Sequence, residues 1–180
     1  MTLLQKNLLQ RLAKQKNKPM NGFTLVELII VVVIIGVLAA IAIPAFEGAG
    51  IKAKQKEASN VVASVVKGAQ AYYQENTVLP SSAGQIKQFV ALTTCDAGSP
   101  DKCQSAAPKS VPANSTKWAS QSGLYDISMS ASGKTLEVTA TPVSSFDGGL
   151  KVSGCYSSLT KATNVYDQKS VEDTETAKCS

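Results

Sequence analysis

Glu27 is the ionisable residue of this 180-residue chain whose position calls for a chemical explanation. It is the only charged side chain among residues 23–46, and the 19 residues after it, 28–46, carry no charge. Placing a carboxylate in a membrane costs roughly 2.5 to 3.5 kcal/mol near the centre of a helix and less toward its ends. The acid therefore needs a cation. A cut between Gly22 and Phe23 would create an α-amine that could meet Glu27 of another copy.

The remaining reactive side chains do not form a catalytic pattern. The chain has no histidine, no glycine-rich phosphate loop and no carboxylate pair spaced for shared acid–base chemistry. Glu172, Asp173 and Glu175 are typical of a solvated acidic segment, and the twelve-residue calcium-loop pattern is absent. We predict that the protein is not an enzyme and uses no metal or cofactor, with calcium binding by these acids and Asp167 left as an alternative.

All the cysteines follow the apolar segment. They are Cys95, Cys103, Cys155 and Cys179. Four cysteines allow three disulfide pairings, and the sequence alone does not choose among them. Chain order favours Cys95 with Cys103 and Cys155 with Cys179, because each pair encloses a polar segment with little capacity to pack. A zinc site is disfavoured because there is no Cys-x-x-Cys pair and no histidine.

The apolar segment and the residues after it predict one long helix. Residues 28–46 are long enough to span a bilayer. Beyond Pro44, Gly48 and Gly50, apolar residues recur at three- and four-residue spacing, which predicts an amphipathic continuation to about Glu75. These residues are Ile51, Ala58, Val61, Val62, Val65, Val66, Ala69, Tyr72 and Tyr73. The first half of such a helix must be covered by lipid or by sister copies, and Pro44 either bends it during packing or is simply tolerated.

The C-terminal half has the pattern of strands. Residues 123–130 and 134–141 alternate between apolar and polar, with a hairpin turn at 131–133, and 150–152 leads a third strand toward Cys155. Residues 79–117 read as a connection with a short helix-like piece at 86–92. Trp118, Tyr125 and Tyr156 are expected in the core. The predicted fold is α+β: a long N-terminal helix whose second half packs on a small antiparallel sheet, followed by a disulfide-closed C-terminal loop.

The positive charge is concentrated at the N-terminus. Residues 1–22 contain five basic residues and no acid, which equals the whole net charge of +5. Without them the chain has 13 basic and 13 acidic residues. A basic leader favours a cytoplasmic N-terminus and delivery of the rest outside, by the positive-inside rule. Nucleic-acid binding stays possible, but these residues do not support it.

The residues Gly22-Phe23-Thr24-Leu25-Val26-Glu27, with the hydrophobic run to Pro44, resemble the class III signal of the type IV pilin family. The resemblance implies that a prepilin peptidase cuts after Gly22, that Phe23 becomes the N-methylated first residue, and that Glu27 aligns subunits in a filament. It implies domains of 1–22 (removed leader), 23–50 (transmembrane and polymerisation helix) and 51–180 (extracytoplasmic head). The chain would lie in the inner membrane as a single-pass protein before assembly and then in an extracellular pilus.

The same resemblance supplies partners and roles. The expected partners are further copies of the chain, prepilin peptidase and, indirectly, the pilus assembly platform and its ATPases. Retractable filaments of this family support twitching motility, adhesion or DNA uptake, and the residues do not rank these roles. A type II secretion pseudopilin or a minor pilin is an alternative within the family. A membrane-anchored extracytoplasmic binding protein that never polymerises is the alternative from another class.

Overall fold

In a computed structural model of the protein, residues 22–95, 100–103 and 105–179 are described. The expected leader lies outside these residues, except for Gly22. The chain divides into two compact units at the junction of Ala45 and Phe46. This junction falls just after Pro44, near the predicted end of the polymerisation helix at residue 50. The leader and domain limits remain predictions.

The long N-terminal helix is confirmed. Helix α1 spans Leu25–Asn76 and contains 52 residues. Pro44 lies inside it, and Gly48 and Gly50 do not end it. Among the described residues, it is the one helix long and apolar enough to cross a membrane.

The second half of α1 packs on the rest of its unit through the predicted apolar face. Its buried apolar residues are Ala58, Val62, Val65, Val66 and Ala69. The sequence did not reveal two other buried positions, Gln55 and Gly68. At Gly68 a Cβ atom would lie 2.8 Å from Val90 Cγ2. A larger residue at this position would therefore displace the Val90 side chain.

A five-stranded antiparallel sheet forms the other layer, and its strands lie side by side in chain order. The strands are β3 (Lys117–Ala119), β4 (Tyr125–Ser132), β5 (Thr135–Pro142), β6 (Val152–Ser157) and β7 (Thr163–Asp167). The predicted hairpin is confirmed as β4 and β5, but its turn is shorter than residues 131–133. Strand β4 runs through Ser132, and Gly133 has a φ of +58°. This left-handed conformation permits a tight turn between twisted strands.

The predicted alternation of apolar and polar residues in this hairpin is also confirmed. Tyr125, Ile127 and Met129 of β4 are buried, as are Leu136 and Val138 of β5. Strands β3 and β7 were not predicted. Both are short edge strands, and β7 is mostly polar, so neither has the alternating pattern on which the prediction depended.

The connection between helix and sheet is more ordered than predicted. It contains α2 (Ala83–Ile86), β1 (Thr93–Thr94), α3 (Pro100–Cys103) and β2 (Lys109–Ser110), with β1 and β2 paired antiparallel. The prediction of a helical piece at 86–92 is wrong, because α2 ends at Ile86. The three predicted core aromatics are confirmed: Trp118, Tyr125 and Tyr156 are all buried.

Candidate assembly segment and disulfide-closed C-terminal region

Glu27 lies in the first turn of α1 and is bonded to Thr24. Its Oε2 accepts hydrogen bonds from the Thr24 backbone N–H at 2.9 Å and from the Thr24 hydroxyl at 2.7 Å. In return, the Glu27 backbone N–H donates to Thr24 Oγ1 at 3.2 Å. These reciprocal contacts are those of a capping box, in which a residue before the helix and the acid three positions later satisfy each other's free amides.

This local pairing was not foreseen, although the signal was present. Thr24-Leu25-Val26-Glu27 has the Thr-x-x-Glu spacing that marks a helix start. The carboxylate therefore has two donors within its own chain before it meets any partner. A capping box at the start of an apolar helix reduces the number of unsatisfied groups that must enter a membrane.

The two residues of the predicted cut lie ahead of the helix. Gly22 and Phe23 are exposed, and α1 begins two residues after Phe23. The structure thus brings Phe23, Thr24 and Glu27 together at one helix end, while Pro44 lies five turns further along. Cleavage after Gly22, methylation of Phe23 and the assembly roles of Glu27 and Pro44 remain predictions.

The apolar segment presents its side chains on all sides of the helix. Most residues of 28–46 are exposed, including Ile41 at 71% and Phe46 at 75%. None of the strongly apolar stretch of this helix is buried by the other described residues. A surface of this kind requires an apolar partner, because contiguous exposed apolar area of this extent is rare in soluble monomers.

The favoured cysteine pairing agrees with the structure. Cys95 is bonded to Cys103 with Cα atoms 5.5 Å apart, and Cys155 to Cys179 with Cα atoms 5.9 Å apart. No cysteine of the chain is free. The first disulfide packs against the turn before β4, since a Cβ on Gly123 would lie 2.5 Å from Cys103 Sγ. The second closes the C-terminal region.

The C-terminal region, residues 168–179, covers strand β6. All six residues of β6 are buried. On one face, Gly154 lies against Val62 of the helix. On the alternate positions, Ser153 Oγ accepts a hydrogen bond from the Ala177 N–H at 2.7 Å, and Cys155 holds Cys179. The helix and the C-terminal region therefore cover β6 from opposite faces.

Asp173 organises the chain within this region. Its carboxylate accepts hydrogen bonds from the Tyr166 hydroxyl at 2.7 Å and from the backbone N–H groups of Lys169 and Glu175, both at 3.0 Å. These donors, led by Lys169, lower the pKa of Asp173 below its ordinary value. The pKa of Tyr166 is raised, chiefly because its hydroxyl donates to this carboxylate.

Two contacts connect the region to α1. Gln55, which is buried, donates from Nε2 to the Gln168 carbonyl at 2.8 Å. Gln168 in turn accepts from the Lys151 N–H at 3.0 Å and donates to the Asp173 carbonyl. The turn of α1 that contains Gln55 and Lys56 thus contacts both β7 and the C-terminal region, because Lys56 forms an ion pair with Asp167 of β7. Among the described residues, no group of three or more His, Cys, Asp or Glu side chains comes together as a metal ligand set.

Comparison with known proteins bears on the first of these two sites. A family model described as the prokaryotic N-terminal methylation motif matches residues 17–43. This range contains the predicted cut, the capping box and most of the apolar segment. The chain is therefore a protein of the class that carries a prepilin-type signal at the start of an apolar helix.

Several curated relatives narrow this class. The fimbrial protein EcpC of Eikenella corrodens is 42% identical over 61 residues, which cover 34% of this chain and 40% of that protein. The type IV major pilin protein PilA of Myxococcus xanthus is 41% identical over 66 residues, which cover 37% of this chain and 30% of that protein. The type II secretion system core protein G of Vibrio cholerae is 31% identical over 80 residues, which cover 44% of this chain and 55% of that protein.

The methylation motif and the similarity to pilin and fimbrial proteins bear out the predicted resemblance to the type IV pilin family over the N-terminal segment. The aligned residues span less than two thirds of the length of each relative named above. No solved structure matches the chain. The family resemblance thus rests on the sequence of the N-terminal segment, and the architecture of the C-terminal region on the contacts described above.

Proposed function

We propose that this protein is a structural subunit of a type IV pilus. Prepilin peptidase cuts between Gly22 and Phe23, Phe23 is N-methylated, and the product waits in the inner membrane as a single-pass protein. It then polymerises through residues 23–50 into a retractable extracellular filament. It performs no catalysis, and its own copies are its main partners.

The observation that carries the proposal is the position of Glu27. One acid lies in the first helical turn, four residues after the predicted new N-terminus, at the head of an apolar segment that the described protein leaves uncovered. A carboxylate here favours an α-amine partner, because an opposite charge offsets its loss of hydration. In a bundle of sister helices, the amine of Phe23 in one copy would meet Glu27 of the next. Such pairing would set the axial register of the helices.

The test compares two acids of the same helix. We expect Glu27→Ala to leave cleavage largely intact but to reduce the amount of sheared surface filament strongly. Glu47→Ala is the matched control, because Glu47 is exposed and lies just after the apolar residues 28–46. Normal filament yield from the Glu27 variant would contradict the pairing. The mass of the mature N-terminus checks the cut, and an uncut protein confined to membranes would contradict the whole proposal.

A type II secretion pseudopilin is the second candidate, because two of the relatives carry the name type II secretion system core protein G, at 31% and 34% identity. Two disulfides in the described head favour a pilus subunit, since an exposed filament gains more from covalent closure. Deletion of the chain separates the two: loss of surface fibres with normal secretion supports the pilin, and the reverse outcome supports the pseudopilin.

The preparation of sheared surface filaments also tests two other hypotheses, that the chain is a minor pilin and that it is an anchored protein that never polymerises. Abundance in sheared fibres comparable to the main fibre subunit supports the major role. A few copies per fibre would support a minor pilin, and absence from fibres of a correctly cut protein would support the anchored monomer. Motility, adhesion and DNA uptake are then separated by the phenotype of the deletion.

A further inference from the structure

One asparagine of the chain has the spacing of an N-glycosylation site. Asn114-Ser115-Thr116 places a hydroxyl residue two positions after an asparagine, and the residue between them is not proline. No other asparagine of the sequence has serine or threonine at that distance. The N-x-Ser/Thr spacing marks an acceptor of N-linked sugars and predicts an exposed loop in an exported protein. A motif of three residues is short, so the assignment depends on where the fold places it.

The fold places this motif on an exposed tight turn. The Ser115 N–H donates to the Pro112 carbonyl at 3.2 Å, which closes a β-turn around Asn114. Asn114 and Thr116 are exposed, and among the described residues none is hydrogen-bonded to their side chains. The amide and the hydroxyl that a transferase has to reach are therefore both open to solvent.

The carbonyls on either side of Asn114 fix the turn to the rest of the head. The Ala113 carbonyl accepts a hydrogen bond from the Gly84 N–H at 2.7 Å. The Ser115 carbonyl accepts one from the Ala83 N–H at 2.8 Å, so both donors belong to the start of α2. These backbone groups are satisfied within the protein, whereas the Asn114 side chain is not used there. A sugar on Asn114 would therefore break no contact of the fold.

We propose that Asn114 is an N-glycosylation site whose co-substrate is a glycosyl diphosphate, carried by a lipid or by a nucleotide. The side-chain amide nitrogen of Asn114 forms a bond to C1 of the sugar, while the bond between C1 and the diphosphate oxygen breaks. The diphosphate leaves with the electron pair of that bond, and the proton lost by the amide nitrogen passes to solvent. The Thr116 hydroxyl is the group by which the transferase recognises the acceptor. The site lies outside the predicted assembly segment, 23–50.

Mass spectrometry of the protein purified from its native cells tests this site. Trypsin releases Asn114 in the cysteine-free peptide 110–117. We expect this peptide to carry the added mass of a sugar, located on Asn114 by fragmentation that leaves the glycosidic bond intact. A single sugar indicates a nucleotide-linked donor, and an oligosaccharide indicates a lipid-linked donor; both results support the site. Asn76, in the tryptic peptide 68–87, is the matched control and should be unmodified, because it is also exposed but has Val78 two positions later.

Variants of the motif separate N-linked transfer from other modifications. Asn114→Gln should remove the added mass completely. Thr116→Val, which keeps the shape of threonine without its hydroxyl, should do the same, and Thr116→Ser should retain part of it. A peptide of unmodified mass in the native protein, a sugar located on Ser115 or Thr116, or an undiminished added mass in Thr116→Val would overturn the proposal. These outcomes do not affect the proposed pilus function, because that proposal is tested by the N-terminal cut and by Glu27.

Discussion

The Glu27 carboxylate accepts hydrogen bonds from both the backbone N–H and the hydroxyl of Thr24, at 2.9 and 2.7 Å. Both bonds go to the same oxygen, Oε2. The acid that is proposed to align subunits thus also forms the N-terminal cap of its own helix. These roles are compatible, because a carboxylate offers about four acceptor positions. The remaining acceptor positions stay open to the amine of another copy.

Thr24→Val should therefore weaken assembly without removing the charge. Valine keeps the shape of threonine but loses the hydroxyl, and loss of an N-cap typically costs about 1 kcal/mol of helix stability. We expect a lower yield of sheared filament with normal N-terminal processing, and a smaller defect than in Glu27→Ala. Thr24→Ser, which keeps the hydroxyl, should assemble normally. A defect of equal size in the serine variant would show that the cap is not the cause.

Gly154→Ala should destabilise the packing of helix on sheet. The added Cβ would lie 2.5 Å from Val62 Cγ1 and 3.0 Å from Val66 Cγ2. Overpacking of a core commonly costs about 1 to 3 kcal/mol, and we expect this loss in the free energy of unfolding measured by denaturant titration of the Trp118 fluorescence. A second substitution, Val62→Ala, should recover part of it by making room. Gly48→Ala is the control, because nothing lies within 4 Å of that position.

The two disulfides should contribute unequally to stability. They close loops of 24 and 8 residues, and chain entropy predicts that the longer loop stabilises by about 1 kcal/mol more. We expect replacement of Cys155 and Cys179 by serine to lower the free energy of unfolding more than replacement of Cys95 and Cys103. The reverse order would show that the packing of the first disulfide against Gly123 outweighs loop length. Alkylation of the unreduced native protein should add no mass.

The C-terminal region should loosen in acid. The folded pKa of Asp173 lies below its ordinary value of 3.8. A lowered carboxylate pKa contributes stability that is present above the unfolded pKa and is lost as pH falls through the folded pKa. Amide exchange at Lys169 and Glu175, corrected for its intrinsic pH dependence, should therefore lose protection below pH 3.8. In Asp173→Asn the protection should be weak throughout and independent of pH in this range. Native protection that persists below the folded pKa would contradict the role of this carboxylate.

Much of the fold could be predicted because its signals are local. The periodicity of 51–73 identified the buried helical face, and the alternation in Tyr125–Met129 identified the inner face of the sheet. The edge strands β3 and β7 were not predicted, because short strands depend on pairing with distant residues rather than on a pattern of their own. The burial of Gln55 was not predicted for a similar reason. A lone glutamine on an apolar face is explained by its hydrogen bond to the Gln168 carbonyl, 113 positions away.

The sequence by itself determined the N-terminal segment: the predicted cut, the lone acid, the apolar helix and the Thr24–Glu27 cap all lie within consecutive residues, so local chemistry and helix geometry are sufficient. Only the tertiary structure decided what lies beyond. It selected one of the three possible disulfide pairings, placed the C-terminal region over β6 and left the buried Trp118 N–H without a hydrogen-bond partner among the described residues. Those outcomes depend on contacts between residues far apart in the chain, which no local pattern specifies.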